Sequence, residues 1–147
     1  MERFRIYEVQ VAEEGLVDAV VSLLSQLSAS LHHFGMNELN AIVNSPSSHL
    51  FVAECSSGIC GMLTLGEYLA PTGRKMWIED VVVDEAMRGN AIGRRLVVFA
   101  QQYASSLGCG ALMLTSRPSR IAANALYSSC GFSIKETNMY VMPVGNE

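Results

Sequence analysis

The sequence predicts an α/β protein of the α+β type, in which a mixed but mainly antiparallel sheet is flanked by helices. Two stretches carry apolar residues at the spacing of one helical face. Leu16, Val20, Leu23, Leu24, Leu27 and Leu31 fall at offsets 0, 4, 7, 8, 11 and 15, and Ile92, Leu96, Phe99, Ala100, Tyr103 and Leu107 repeat them. Between these helices lie β-rich runs joined by short turns, the pattern of antiparallel hairpins. The last run passes through a small-residue turn straight into the second long helix.

The chain opens on a strand, since Phe4, Ile6, Tyr7, Val9 and Val11 sit in an alternating β-rich stretch. The first long helix follows. His33, Gly35 and Asn37 break it, and 36–43 forms a second, short helix that stops at Asn44-Ser45-Pro46. Segments 50–54 and 59–68 are two strands turning through Ser56-Ser57-Gly58, and Pro71-Thr72-Gly73 turns the chain into a third strand over 76–83. These strands are expected to form a consecutive antiparallel meander. Gly108 and Gly110 end the second long helix, 111–115 is a short strand, and 119–129 is a helix with Ser119 as its N-cap. Two terminal strands, 132–135 and 139–142, complete the expected order β α α β β β α β α β β.

With 147 residues and no linker, repeat or charge block, the chain reads as one domain over 1–147. Its composition is 50% hydrophobic and 16% charged, below the roughly 25% charged of an average domain, so self-association as a homodimer is expected. Ten Lys and Arg against fourteen Asp and Glu give a net charge of −4, the wrong sign for holding nucleic acid through its phosphates or for a basic membrane patch. Asp18, Ser22, Ser25 and Gln26 interrupt the most apolar early segment, so no membrane span is expected. The start MERFRIYEV lacks the apolar stretch of a signal peptide, which makes the cytoplasm the expected location. Cys55, Cys60, Cys109 and Cys130 form no CxxC pair and have no histidine at zinc spacing, so reduced structural thiols and no metal are expected.

The turn after the third meander strand carries the chemistry. Arg88-Gly89-Asn90-Ala91-Ile92-Gly93 places small residues and exposed N–H groups at a helix N-terminus, with Arg88, Arg94 and Arg95 adding positive charge. Unsatisfied amides and the helix dipole both favour an anion, so a phosphate-bearing ligand is the expected guest. The spacing fits neither the Walker loop nor the three-glycine dinucleotide fingerprint, which disfavours nucleotide hydrolysis and NAD binding.

This block resembles the Gln/Arg-x-x-Gly/Ala-x-Gly/Ala fingerprint of the Gcn5-related N-acetyltransferase superfamily, with Ala91 where glycine is commoner. A second block, AANALYSSCGF, is similar to the family's Asn and Tyr three residues apart before Gly-Phe, here Asn124, Tyr127, Gly131 and Phe132. The blocks stand in the family's order, and the element order matches its acyl-CoA N-acyltransferase fold over essentially the whole chain. The resemblance implies a sheet that splays open to admit the pantetheine arm of acetyl-CoA, the acyl donor. It assigns pairing with that arm to the backbone of Val81, Val82 and Val83. N–H groups from Arg88 through Gly89, Asn90, Ala91, Ile92 and Gly93 to Arg94 receive the pyrophosphate, and Asn124 hydrogen-bonds the arm.

The same resemblance makes Tyr127 the proton donor to the departing thiolate; its structural alternative is a core aromatic. The attacking amine must lose a proton, so a carboxylate near the cleft is expected. Glu79 and Asp80 precede Val81 in the run Trp77-Ile78-Glu79-Asp80-Val81, which is similar to an Ile-Glu-Asp run in the glucosamine-phosphate N-acetyltransferase branch. Adjacent strand residues face opposite sides, so at most one of the two can point at a given cleft. Glu79 is favoured as base, with Asp80 as the alternative; the structural reading is an ion pair to Arg94 or Arg120.

Arg117 and Arg120 in TSRPSR can hold a carboxylate or phosphate of the acceptor, cap a helix, or meet the cofactor. The run is similar to one in small bacterial acetyltransferases of undetermined substrate. His32 and His33 are assigned to the end of the first helix, and the eight methionines to core filling. The expected activity is N-acetyl transfer to a small-molecule amine. A protein lysine or N-terminal amine is the alternative acceptor, and a non-catalytic acyl-CoA-binding module the alternative class.

Overall fold

The computed structural model describes residues 3–29 and 33–145. The meander predicted from the turns is present as β2 (Ser48–Cys55), β3 (Gly58–Ala70) and β4 (Gly73–Val83), each antiparallel to the next, and β1 (Phe4–Glu8) adds antiparallel to the outer side of β2. Gly58 and Gly73 make its two hairpin turns possible, with φ of 114° and 122°, a region that L side chains rarely adopt. β5 (Leu112–Met113) joins the far edge parallel to β4, giving a mixed five-stranded sheet in the order β1-β2-β3-β4-β5.

Helices cover both faces because the strands alternate. Leu50, Val52, Met62 and Val82 pack against Val17, Val20 and Leu23 of α1 (Glu14–Leu27) and Leu39 of α2 (Met36–Asn44). On the other face, Phe51, Leu63, Leu65, Met76 and Ile78 meet Ile92, Leu96, Val97 and Ala100 of α3 (Ile92–Ser106), with Tyr127 of α4 (Ile121–Ser129) in the same cluster. Each fully buried Leu or Phe contributes about 1.5–3 kcal/mol over leaving it in water, so this double-sided alternation fixes the register. Gly61 lets α3 come close, since a Cβ there would stand 3.2 Å from both Ile92 Cγ2 and Leu96 Cδ1.

A polar knot holds one end of the sheet. His49 Nδ1 lies 2.7 Å from Glu8 Oε2 and 3.2 Å from Tyr103 Oη, tying β1, β2 and α3 together. The four cysteines are free. Burial pushes the Cys60 thiol up to about 12, so it stays protonated at neutral pH.

The structure corrects several expectations. The first helix ends at Leu27, because Ser28 turns to extended backbone; Leu31 and His32 lie outside the described residues. His33 belongs to the start of α2, with Nε2 3.5 Å from Glu38 Oε1, and Glu38 also accepts the Gly35 N–H at 2.9 Å. Ser119 is not the cap of α4; Arg120 holds that position without a side-chain bond. No strand forms at 132–135 or 139–142, because apolar alternation prepares a strand but a ladder requires a neighbouring edge. Methionine filling holds for Met62 and Met76, whereas Met139 and Met142 are exposed. Among the described residues no helix is long and apolar enough to cross a membrane.

Candidate active site

A bulge in β4 shapes the site. Met62 pairs with Val82 and Thr64 with Glu79, so Leu63 faces two residues of β4, Asp80 and Val81. Asp80 absorbs the extra residue at φ 52°, a left-handed conformation that aspartate tolerates better than most. Its effect is a change of face. Before the bulge Met76 and Ile78 point toward α3; after it Val81 and Val83 do, and Val82 takes the α1 side. The strict alternation expected across Glu79 and Asp80 therefore fails at that pair, and both side chains are exposed. Among the described residues neither forms the ion pair to Arg94 or Arg120 that was their structural alternative.

β4 and β5 part company just before this bulge. Their ladder is Met76 with Leu112 and Trp77 with Met113, and from Ile78 to Val83 the β5-facing edge of β4 has no strand beside it among the described residues. The opening predicted by resemblance is thus built from a two-residue strand next to an eleven-residue one. An extended ligand can add there as a strand, using the backbone of Val81, Val82 and Val83.

The turn after β4 presents a helix N-terminus to that opening. Asp84 Oδ1 accepts the Ala86 N–H at 3.0 Å, and Glu85 N–H donates to Gln26 Oε1 at 2.9 Å, which anchors the turn to α1. Asn90 Nδ2 donates to the Met87 carbonyl at 3.0 Å. Gly89 takes φ 89° and Ala91, the N-cap of α3, takes φ 61°. Arg95 N–H bonds the Ala91 carbonyl at 3.1 Å, so the N–H groups of Ile92, Gly93 and Arg94 precede the first intrahelical bond and have no helical acceptor. Arg88 is exposed, and the Arg95 guanidinium lies 5.0 Å from the centre of the Phe4 ring. This arrangement suits an anion.

The two motif blocks meet physically. Arg94 Nη1 donates to Ser129 Oγ at 2.8 Å and to its carbonyl at 3.3 Å, and Gln101 donates to the Cys130 carbonyl at 2.7 Å. Asn124 spends its amide N–H groups on the carbonyls of Arg117 at 2.9 Å and Arg120 at 2.7 Å, which leaves Oδ1 as its free function and makes the residue a clamp on the TSRPSR loop. Arg117 and Arg120 extend exposed side chains from that loop. Tyr127 is buried against the α3-facing core with its ring edge-on to Phe132, and its hydroxyl has no hydrogen-bond partner among the described residues. Burial pushes its pKa up, with Arg120 pulling slightly the other way, so the phenol keeps its proton at neutral pH.

On the opposite face a cleft of about 420 Å³ is lined by Glu79, Trp77, Tyr68, Thr115, Ser48 and Met139 among others. Glu79 and Tyr127 thus belong to opposite faces of the sheet. Trp77, Tyr68, Thr115 and Ser48 had escaped the sequence reading, because they come from three strands and a loop with no motif linking them. Asp80 does not line this cleft.

A sheet opened beside a glycine-bearing helix N-terminus, with a protonated tyrosine on the next helix, is the architecture of a CoA-dependent acyltransferase. The chain belongs to the Acetyltransferase (GNAT) family, whose profile matches residues 17–132, and it is an acetyl-CoA-dependent N-acetyltransferase. Glucosamine 6-phosphate N-acetyltransferase of Arabidopsis thaliana is 23% identical over 94% of this chain and 95% of its own. Its crystal structure superposes with a TM-score of 0.81, covering 96% of this chain and 99% of that one. A putative acetyltransferase from Agrobacterium tumefaciens is 25% identical with a TM-score of 0.82, over 95% and 99% of the two chains. The aminoglycoside acetyltransferase meta-AAC0020 from an uncultured soil sample, solved with sisomicin, shares the fold at 17% identity and a TM-score of 0.80, covering 97% of each chain.

Proposed function

We propose that the protein transfers an acetyl group to the primary amine of a small molecule by direct attack in a ternary complex, with no acyl-enzyme. The observation that carries this reading is the β4–β5 opening with Glu79 on one face and Tyr127 on the other. When bound, acetyl-CoA supplies an activated thioester carbonyl. Backbone groups of Val81, Val82 and Val83 hold the extended arm, and the N–H groups from Arg88 to Arg94 hold the pyrophosphate. The acceptor enters the Glu79 cleft, where Glu79 takes the ammonium proton directly or through water, and freeing the lone pair permits attack. An N–H near Val81 would stabilise the oxyanion, Tyr127 would give its proton to the departing sulfur, and the second proton shed by the attacking nitrogen would restore the phenol, so that the one proton taken by Glu79 leaves to solvent. Holding amine and thioester together supplies most of the acceleration. Cys60, protonated and buried, offers no competing nucleophile.

Amino sugars are the first acceptors to try, because relatives are named for glucosamine 6-phosphate and aminoglycosides. Arg117 and Arg120 stand exposed to take an acidic group of such a ligand. The test is free-thiol release from acetyl-CoA with amino sugars, aminoglycosides, polyamines and a lysine peptide. Turnover with a small amine, reduced most at low pH by Glu79→Gln, is expected. Turnover with peptide alone would replace the acceptor class, turnover with none would leave an acyl-CoA-binding module, and a larger loss from Asp80→Asn would move the base to Asp80.

A further inference from the structure

Two glycines, Gly61 and Gly66, interrupt the interior of β3, and packing accounts for only one of them. Gly61 makes room for α3, since a Cβ there would stand 3.2 Å from Ile92 and Leu96 side-chain atoms. A Cβ at Gly66 would meet no atom within 4 Å, and its backbone lies outside the left-handed region that disfavours L side chains. A strand glycine costs stability, because it loses more backbone freedom on folding than any other residue and packs no side chain. Neither packing nor backbone conformation within the chain calls for glycine at 66, whereas the close approach of a ligand to the backbone does.

The neighbours of Gly66 define what approaches. It pairs with Ser48 on β2 and with Trp77 on β4, and all three line the Glu79 cleft. Met76 and Ile78 are buried in the cluster on the α3 side, so alternation puts Trp77 and Glu79 together on the other face. The missing side chain leaves a floor of bare backbone between Ser48 and Trp77, with the exposed Tyr68 two residues further along β3. The cleft of about 420 Å³ falls within the roughly 300–1,000 Å³ of small-molecule sites, and like them it sets a few polar groups among aromatic walls. We propose that Gly66 determines acceptor specificity: a flat, ring-bearing amine lies on its bare backbone, one apolar face against Trp77, hydroxyls toward Ser48 and Thr115, and nitrogen at Glu79. A flexible chain amine leaves that floor unused and gains little from the missing side chain. The proposal rests on the reading of the Glu79 cleft as the acceptor site and adds the shape of the acceptor to it.

Trp77 is the single tryptophan of the chain, so its fluorescence reports acceptor binding without turnover. The probes are glucosamine as the ring amine and cadaverine as the chain amine, each titrated in the presence of coenzyme A, which carries no acetyl group to transfer. The wild type is expected to bind glucosamine more tightly than cadaverine. Gly66→Ala should weaken glucosamine several-fold and Gly66→Val by about tenfold or more, with a much smaller loss for cadaverine. Tm and its rise with acetyl-CoA should be retained, which separates loss of the site from loss of the fold. If Gly66→Val lowers Tm, Gly66→Ala decides, since its one added carbon meets open space. Graded loss of glucosamine binding in a protein that acetylates no amine would overturn the catalytic reading and support this one. Unchanged glucosamine binding in the variants, equal losses for both probes, or no response of Trp77 to glucosamine overturns the proposal.

Discussion

Arg94, in the first turn of α3, is fastened to Ser129, in the last turn of α4, by a 2.8 Å hydrogen bond to the hydroxyl and a 3.3 Å bond to the carbonyl. The turn that opens α3 and the helix bearing Tyr127 are therefore tied directly to each other. A guanidinium committed to Ser129 serves position more than ligand charge. Arg94→Ala is expected to cost about 0.5–1.5 kcal/mol of stability. It should also lower kcat several-fold with little change in KM for acetyl-CoA, as steady-state kinetics will read. A raised KM with kcat intact would assign the guanidinium to the diphosphate instead.

Ala91 sits at φ 61°, where an L residue is strained by about 1–2 kcal/mol and glycine is not. Glycine costs roughly 0.4–1 kcal/mol in the unfolded chain, so Ala91→Gly should stabilise by up to about 1 kcal/mol. That is a rise of about 2–4 °C in Tm for a chain of this size, with acetyl-CoA binding retained. A fall in Tm would mean that the turn relaxes without strain.

Gly93 makes room for α4, since a Cβ there would stand 3.3 Å from Leu126 Cδ2 and 3.6 Å from Val83 Cγ2. Gly93→Val should wedge α3 from α4 and misplace the turn. At a hundredfold excess over its Kd, acetyl-CoA adds about 2.7 kcal/mol to the wild type, a shift expected to vanish in the variant. Thermal denaturation with and without acetyl-CoA measures both, and an undiminished shift would remove Gly93 from the site.

Tyr127→Phe keeps the packed ring and deletes the proton. Turnover should fall by roughly 10- to 1,000-fold while Kd for acetyl-CoA holds; unchanged turnover would return Tyr127 to a core role. The pKa has a second consequence. Burial raises Tyr127, so the folded protein keeps this proton above the ordinary value of 10.0, at which the unfolded chain releases it. Stability is therefore fully present below about pH 10 and falls as pH rises beyond it, with Tyr7 and Tyr103 acting in the same direction. Tyr127→Phe should flatten that alkaline decline in urea titrations.

Periodicity and turn chemistry made most of the fold legible. Two helical faces, the Gly58 and Gly73 turns and the strand running into Arg88 are local features, encoded within a few residues of one another. The motif blocks were equally local, and the structure brings them together through Arg94 and Ser129. The sequence by itself therefore determined the elements through α4, their order, the small-residue turn that opens α3, and the family.

Tertiary structure decided the rest. A bulge at Asp80, where Leu63 on the neighbouring strand faces two residues, changes which face Val81, Val82 and Val83 occupy relative to Glu79. The Glu79 cleft gathers Ser48, Tyr68, Trp77 and Thr115 from distant positions, and no spacing rule connects them. Residues 139–142 have the composition of a strand, yet a strand exists only where another edge satisfies its N–H and C=O groups. Local sequence sets what a segment can become; pairing and burial against remote residues decide what it does.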